Sequence, residues 1–166
     1  MSTPKSIRAV YKELGAQEID VDVYLPSRSD GVHPVGKCPP SRTCGKHLIQ
    51  AVIDIHGGAF MLGSSKMVNL DQVQDCLDRG WVVLAPNHRL CPQVNLLEGP
   101  IQDCRDLLSW VYDGGLGQFI EESSVGTCKL DLEHVFAFGT SSGGTLALSL
   151  VSRHMEVKSC GGDSTM

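Results

Sequence analysis

Two glycine-rich motifs, each directly after a short apolar run, constrain this chain more than any other feature: His56-Gly57-Gly58-Ala59-Phe60 and Gly139-Thr140-Ser141-Ser142-Gly143-Gly144. The runs before them, residues 48–55 and 135–138, are rich in Val, Ile, Leu and Phe and too short for buried helices, which predicts buried strands. After the second motif, Thr145-Leu146-Ala147-Leu148-Ser149-Leu150-Val151 predicts a buried helix. A bare Gly-x-Ser-x-Gly is a weak signal in a chain with 18 Gly, so the strand before it and the helix after it decide its reading. Strand, Gly-x-Ser-x-Gly, helix is the setting of a nucleophile elbow. There the serine sits in strained backbone on a sharp turn, and glycines let strand and helix approach closely.

The first motif supplies the complementary half of the same chemistry. Its strand delivers Gly57 and Gly58, whose N–H groups carry no side chain to keep a substrate oxygen away. Such donors stabilise the oxyanion of a tetrahedral intermediate, and losing one typically costs about 3 kcal/mol of transition-state stabilisation. The N–H of Ser142, the residue after the candidate nucleophile Ser141, is the third expected donor. It opens a helix, whose N-terminus presents unpaired N–H groups to developing negative charge.

The motifs and their order resemble the hormone-sensitive-lipase-like branch of the α/β-hydrolases over roughly residues 7–154. His56 to Phe60 is similar to that family's HGG signature, and Gly139 to Gly144 to its GDSAGG signature, with Thr140 and Ser142 in place of Asp and Ala. Between them, Asn87-His88-Arg89-Leu90-Cys91-Pro92-Gln93 is similar to the family's DYRLAPE segment. Leu130-Asp131-Leu132-Glu133-His134-Val135 resembles the turn that leads into the nucleophile strand. The resemblance implies an α/β fold with a mostly parallel sheet, opened by an antiparallel hairpin and covered by helices on both faces. It also implies hydrolysis of short or medium acyl esters, or of carrier-bound thioesters in small-molecule biosynthesis, through Ser141.

Composition excludes several other classes. At 166 residues, 42% hydrophobic and 20% charged, the chain suits a single domain with one core. A net charge of −5 without a basic stripe argues against nucleic acid. No run is apolar enough for a membrane span, and residues 1–10 hold no signal-peptide core, so an intracellular, cytoplasmic protein is expected. The seven cysteines are scattered and odd in number, which reads as free thiols. Cys38, Cys44 and His47 have spacing too wide for a zinc knuckle, so neither metal nor cofactor is expected.

Along the chain, residues 7–13 and 19–25 predict a hairpin around Gly15-Ala16. Residues 26–46, rich in Ser, Pro and Gly, predict a long surface loop. Asn69 predicts the cap of a helix with Leu70, Val73, Cys76 and Leu77 on its apolar face, stopped by Gly80. Residues 81–85 predict the next strand. Pro100 then opens a helix with Ile101, Cys104, Leu107, Leu108 and Val111 inward, stopped at Gly114-Gly115. Residues 155–166 have no strand pattern and predict an unstructured tail.

A serine nucleophile needs a histidine to take its proton and an acid to orient that histidine, in the chain order Ser, acid, His in this fold. Only His154 follows Ser141, and it falls on the same predicted helix, about 20 Å away along the axis at ~1.5 Å per residue. His88, on the loop after the 81–85 strand, lies on the motifs' edge of the sheet. It is the alternative base, against a reading as a loop histidine in place of the family's aromatic residue. His56, in the family, shapes the oxyanion loop without acting as base. The acid and base that the family places later are missing, so the sequence reads as the N-terminal part of a hydrolase truncated after the nucleophile helix. The alternative is a noncatalytic remnant that binds a protein partner through the apolar sheet edge left by the nucleophile strand.

Overall fold

The computed structural model describes residues 3–26, 48–123 and 129–159, with side chains up to residue 150. Strand β1 (Ser6–Leu14) and β2 (Gln17–Tyr24) form the expected hairpin. Gly15 turns the chain at φ 62°, where a side chain would be strained. Then follow β3 (Leu48–Ile55), α1 (Leu70–Asp78), β4 (Val82–Pro86), α2 (Gln102–Tyr112), α3 (Gly115–Glu122), β5 (Lys129–Gly139) and α4 (Ser142–Ser159). The sheet order is β1-β2-β4-β3-β5. The hairpin joins β4 antiparallel, and β4, β3 and β5 run parallel. Helices cover both faces, as in an α/β-hydrolase-like fold. The three parallel strands all end towards one edge, where both glycine-rich motifs emerge.

Alternation along the strands builds two cores. On one face Ile53, Ile55 and Leu84 meet Cys104, Leu107 and Val111 of α2, Leu116 and Ile120 of α3, and Leu146 of α4, all fully buried. Burying each of the larger side chains contributes about 1.5–3 kcal/mol. On the other face Val83 and Ala85 meet Val73 and Cys76 of α1, which Asn69 caps by accepting from the Asp71 N–H. Burial pushes the Cys104 thiol up to about 12, which makes it an inert core residue. Cys76, Cys91 and Cys104 are free thiols.

Four elements depart from the sequence expectations. Residues 130–134, read as a turn, belong to β5: Leu48, Ile49 and Gln50 pair with Lys129, Leu130 and Asp131, and the register then jumps so that Ala51 faces Val135. The turn character survives as a bulge, in which Asp131 accepts from the Glu133 N–H at 3.0 Å and from His134 Nδ1 at 2.9 Å. Helix α3 follows Gly114 at once, because Leu116 and Ile120 reward packing despite two glycines in the helix. Pro100 sits in a π-helical turn, Leu97–Ile101, ahead of α2. Residues 155–159 continue α4, as Met155, Glu156 and Lys158 are good helix formers. The 27–47 stretch, which holds nearly all of the expected surface loop, and residues 160–166 lie outside the described residues. Among the described residues no helix is long and apolar enough to cross a membrane.

Candidate active site

Ser141 is exposed and lies between β5 and α4 with φ 55°, a left-handed conformation that costs a non-glycine residue about 1–2 kcal/mol. What holds it there is close packing. The Thr140 N–H donates to the Ile55 carbonyl at 3.2 Å, and those of Gly143 and Gly144 donate to the Thr140 and Ser141 carbonyls. A Cβ on Gly139 would lie 2.5 Å from the Gly143 carbonyl carbon and 2.6 Å from the Ile55 oxygen, so only glycine fits where β5, β3 and α4 meet.

The loop at residues 56–60 is folded against this turn. A Cβ on Gly57 would lie 3.4 Å from the Ser141 Cβ and 2.8 Å from the Thr140 oxygen, which puts Gly57 beside the serine. Gly58 has φ 127°, and its carbonyl accepts from the N–H groups of Met61 and Leu62. Ala59 and Phe60 continue with φ 52° and 64°. His56 Nδ1 donates to the Gly57 carbonyl at 2.7 Å, and in a trans peptide this turns the Gly58 N–H away from the imidazole. Among the described residues the Gly57, Gly58 and Ser142 N–H groups donate to no protein acceptor. The geometry thus places Gly57 beside Ser141, with Gly58 and Ser142 next to them in the chain.

Among the described residues no imidazole hydrogen-bonds to Ser141. His88 is buried, its Nδ1 donating to the Arg89 carbonyl at 3.0 Å and its ring stacked on His56. His134 pairs with Asp131 near the start of β5, at the far end of the strand from Ser141. His154 falls within α4, the helix that Ser142 opens.

Residues whose roles sequence reasoning did not assign hold the neighbouring loop. Arg89 grips Asp103 of α2 with Nε to Oδ2 at 2.9 Å, Nη2 to Oδ1 at 2.8 Å and its own backbone N–H to Oδ2 at 2.8 Å. Lys12 adds a bond to Asp103 Oδ1 at 2.7 Å. Asn87 accepts from the Tyr11 hydroxyl on its carbonyl and from the Ser65 N–H on its side chain, and donates to Asp20. The Cys91 N–H donates to the Phe60 carbonyl at 2.8 Å, tying this loop to the loop at residues 56–60. Arg89 stands inside the segment similar to DYRLAPE, whereas no motif in the sequence marks Asp103.

Asp54, two residues before His56, is 2% exposed and its Oδ2 has no hydrogen-bond partner among the described residues. Burial pushes its pKa up to about 6. A carboxyl whose folded value exceeds the unfolded one stabilises below the unfolded value and loses that contribution as pH rises through the folded one. Asp54→Asn is therefore expected to raise stability at pH ~8 by about 1–3 kcal/mol and by progressively less below pH ~6. Urea midpoints across that range measure this, and equal pH dependence in both proteins would refute it.

A model of the BD-FAE family matches residues 40–159. The chain is 33% identical over 141 residues to methylphloroacetophenone synthase of Cladonia uncialis, covering 85% of this chain and 5% of that protein. It is 38% identical over 141 residues to the non-reducing polyketide synthase mapC of Penicillium brevicompactum, again covering 85% and 5%. The chain thus spans about a twentieth of the length of these relatives. Among solved structures it is similar to a bacterial heroin esterase, with TM-score 0.66 and 20% identity over 94% of this chain and 41% of that one. It is also similar to Thermogutta terrifontis esterase 2 with propionate bound, with TM-score 0.62 and 20% identity over 89% and 45%. At that identity the two structures speak for the fold.

Proposed function

The chain belongs to the BD-FAE family, whose fold is α/β-hydrolase-like, and from that premise we propose that it is a serine hydrolase of carboxylic esters or thioesters acting through an acyl-enzyme on Ser141. One geometry carries the reading: an exposed serine in left-handed backbone with Gly57 beside it, and N–H groups on Gly57, Gly58 and Ser142 that have no protein acceptor among the described residues. Ser141 Oγ attacks the acyl carbon while its proton passes to a base. The carbonyl oxygen, now negative, is held by the Gly57, Gly58 and Ser142 N–H groups. Collapse expels the alcohol or thiol, which takes the proton, and water repeats the sequence to release the acid. The base is one that the described residues do not supply. Given the polyketide synthases among its relatives, the substrate class we favour is an acyl thioester on a carrier in small-molecule biosynthesis.

A second reading is favoured by the absence of an imidazole at Ser141 among the described residues. In it the chain is a noncatalytic module, and β5, the outer strand of the described sheet with Phe136 45% exposed, meets a protein partner. Intact-mass analysis after exposure to a fluorophosphonate separates the two. A single adduct on the 166-residue chain that Ser141→Ala abolishes supports an activated nucleophile. A folded chain that takes no adduct supports the module.

A further inference from the structure

His56 and His88 come from different loops, one after β3 and one after β4, yet their rings lie face to face with 4.6 Å between centroids and 9° between planes. They are 2% and 8% exposed. A carbonyl can only accept, so the bonds from His56 Nδ1 to Gly57 and from His88 Nδ1 to Arg89 place each ring's proton on Nδ1. Both Nε2 atoms are then bare, buried acceptors with no partner among the described residues. The mechanism proposed above uses neither.

We propose that His88 is a positioning residue of the oxyanion loop, bracing His56 through a stacked pair that holds the loop only while the His88 ring is neutral. This rests on reading Gly57 and Gly58 as the oxyanion donors. His56 orients the Gly57–Gly58 peptide through its Nδ1, and His88 covers the face of the His56 ring, so a change at His88 reaches the donors through His56. Protonation of His88 would create an N–H at a buried Nε2 that has no acceptor among the described residues, which such a site resists. The charged groups nearby offer no relief. Asp103 is already engaged by Arg89 and Lys12, the Arg89 guanidinium is itself a cation, and Asp54 lies on β3. Burial pushes the His88 pKa down and the adjacent His56 adds to this, while the Arg89 carbonyl and Asp103 oppose it. The brace is therefore complete above the ordinary histidine value and weakens as pH falls below it.

The test reads the Cys91 amide, whose bond to the Phe60 carbonyl links the two loops, by hydrogen exchange corrected for the intrinsic pH dependence of exchange. Its protection is expected to fall about tenfold between pH ~7.5 and pH ~5 in the wild type. In His88→Phe, which keeps a ring but cannot titrate, it is expected to stay within about twofold across that range. In His88→Ala it is expected to be low at both pH values. Wild-type protection that stays flat, a Phe variant that loses protection on acidification, or an Ala variant that keeps it, each overturns the proposal. Melting temperature is the wrong readout, because Asp54 titrates over an overlapping range with the opposite sign. An amide is read here rather than turnover, so failure of the hydrolase reading, seen as no Ser141 adduct, remains separate.

Discussion

Replacing Asp103 by alanine is expected to cost about 3–5 kcal/mol of folding stability, read as a fall in the urea midpoint at unchanged slope. The Asp103 side chain is fully buried and accepts from Arg89 Nε, Arg89 Nη2, the Arg89 backbone N–H and Lys12 Nζ. Those cations are themselves withdrawn from water, Lys12 to 13% and Arg89 to 22% side-chain exposure, so removing the carboxylate leaves two desolvated charges with less to neutralise them. Lys12 keeps its contact with Asp106, but among the described residues Arg89 has no second carboxylate within ion-pair distance and falls back on the Glu98 carbonyl. The linkage has a definite sign. Burial alone would raise the Asp103 pKa, but the bonds from Arg89 and Lys12 outweigh it and hold the value below the ordinary carboxylate range. The contribution is thus present above the unfolded value of ~3.9 and lost as pH falls through the folded one. Acid unfolding of Asp103→Ala should accordingly be shallower than that of the wild type. A cost near zero would mean that the cations are better solvated than their burial indicates.

The features that were legible in the sequence are those whose causes are local. The Asn69 cap, the Cys104, Leu107 and Val111 stripe, and the two motifs at strand ends each follow from a few adjacent residues, and the structure places them as read. What was not legible depends on residues that meet only after folding. The β5 bulge exists because residues 132–134 must be accommodated while β3 pairs on both sides of them, and no window of the sequence records its partner strand. Helix α3 was hidden because Gly115 and Gly117 lower its propensity, whereas the core that Leu116 and Ile120 fill is built by other elements. The same holds at the site. Ser141, Gly57, Gly58 and Ser142 are candidates proposed from motif and order, whereas the His56–His88 stack and the Arg89–Asp103 grip join segments that only the fold brings together.

Gly143→Ala is expected to slow fluorophosphonate labelling of Ser141 about 100-fold and to destabilise the fold by about 1–3 kcal/mol. A Cβ at this position would lie 2.1 Å from the Ile55 oxygen and 2.6 Å from the His56 oxygen. Both obstacles are backbone, at the end of β3 where the loop at residues 56–60 begins, so no side chain can swing aside. Relief requires α4 to move away from β3 by an ångström or so, an order of displacement known to cost ~100-fold when it falls on a reacting group. The shift would act on the proposed nucleophile and the proposed donors together. Ser141 and Ser142 ride on α4 and its entering turn, while Gly57 and Gly58 stay with β3. Gly144→Ala is the internal control, since its Cβ would come no nearer than 3.2 Å to anything, that neighbour being the Gly139 oxygen. It adds the same methyl group to the same helical turn and should change labelling by only a few-fold. The contrast separates position from composition: equal losses in the two variants would mean that the first turn of α4 needs flexible glycines, not that α4 must sit hard against β3.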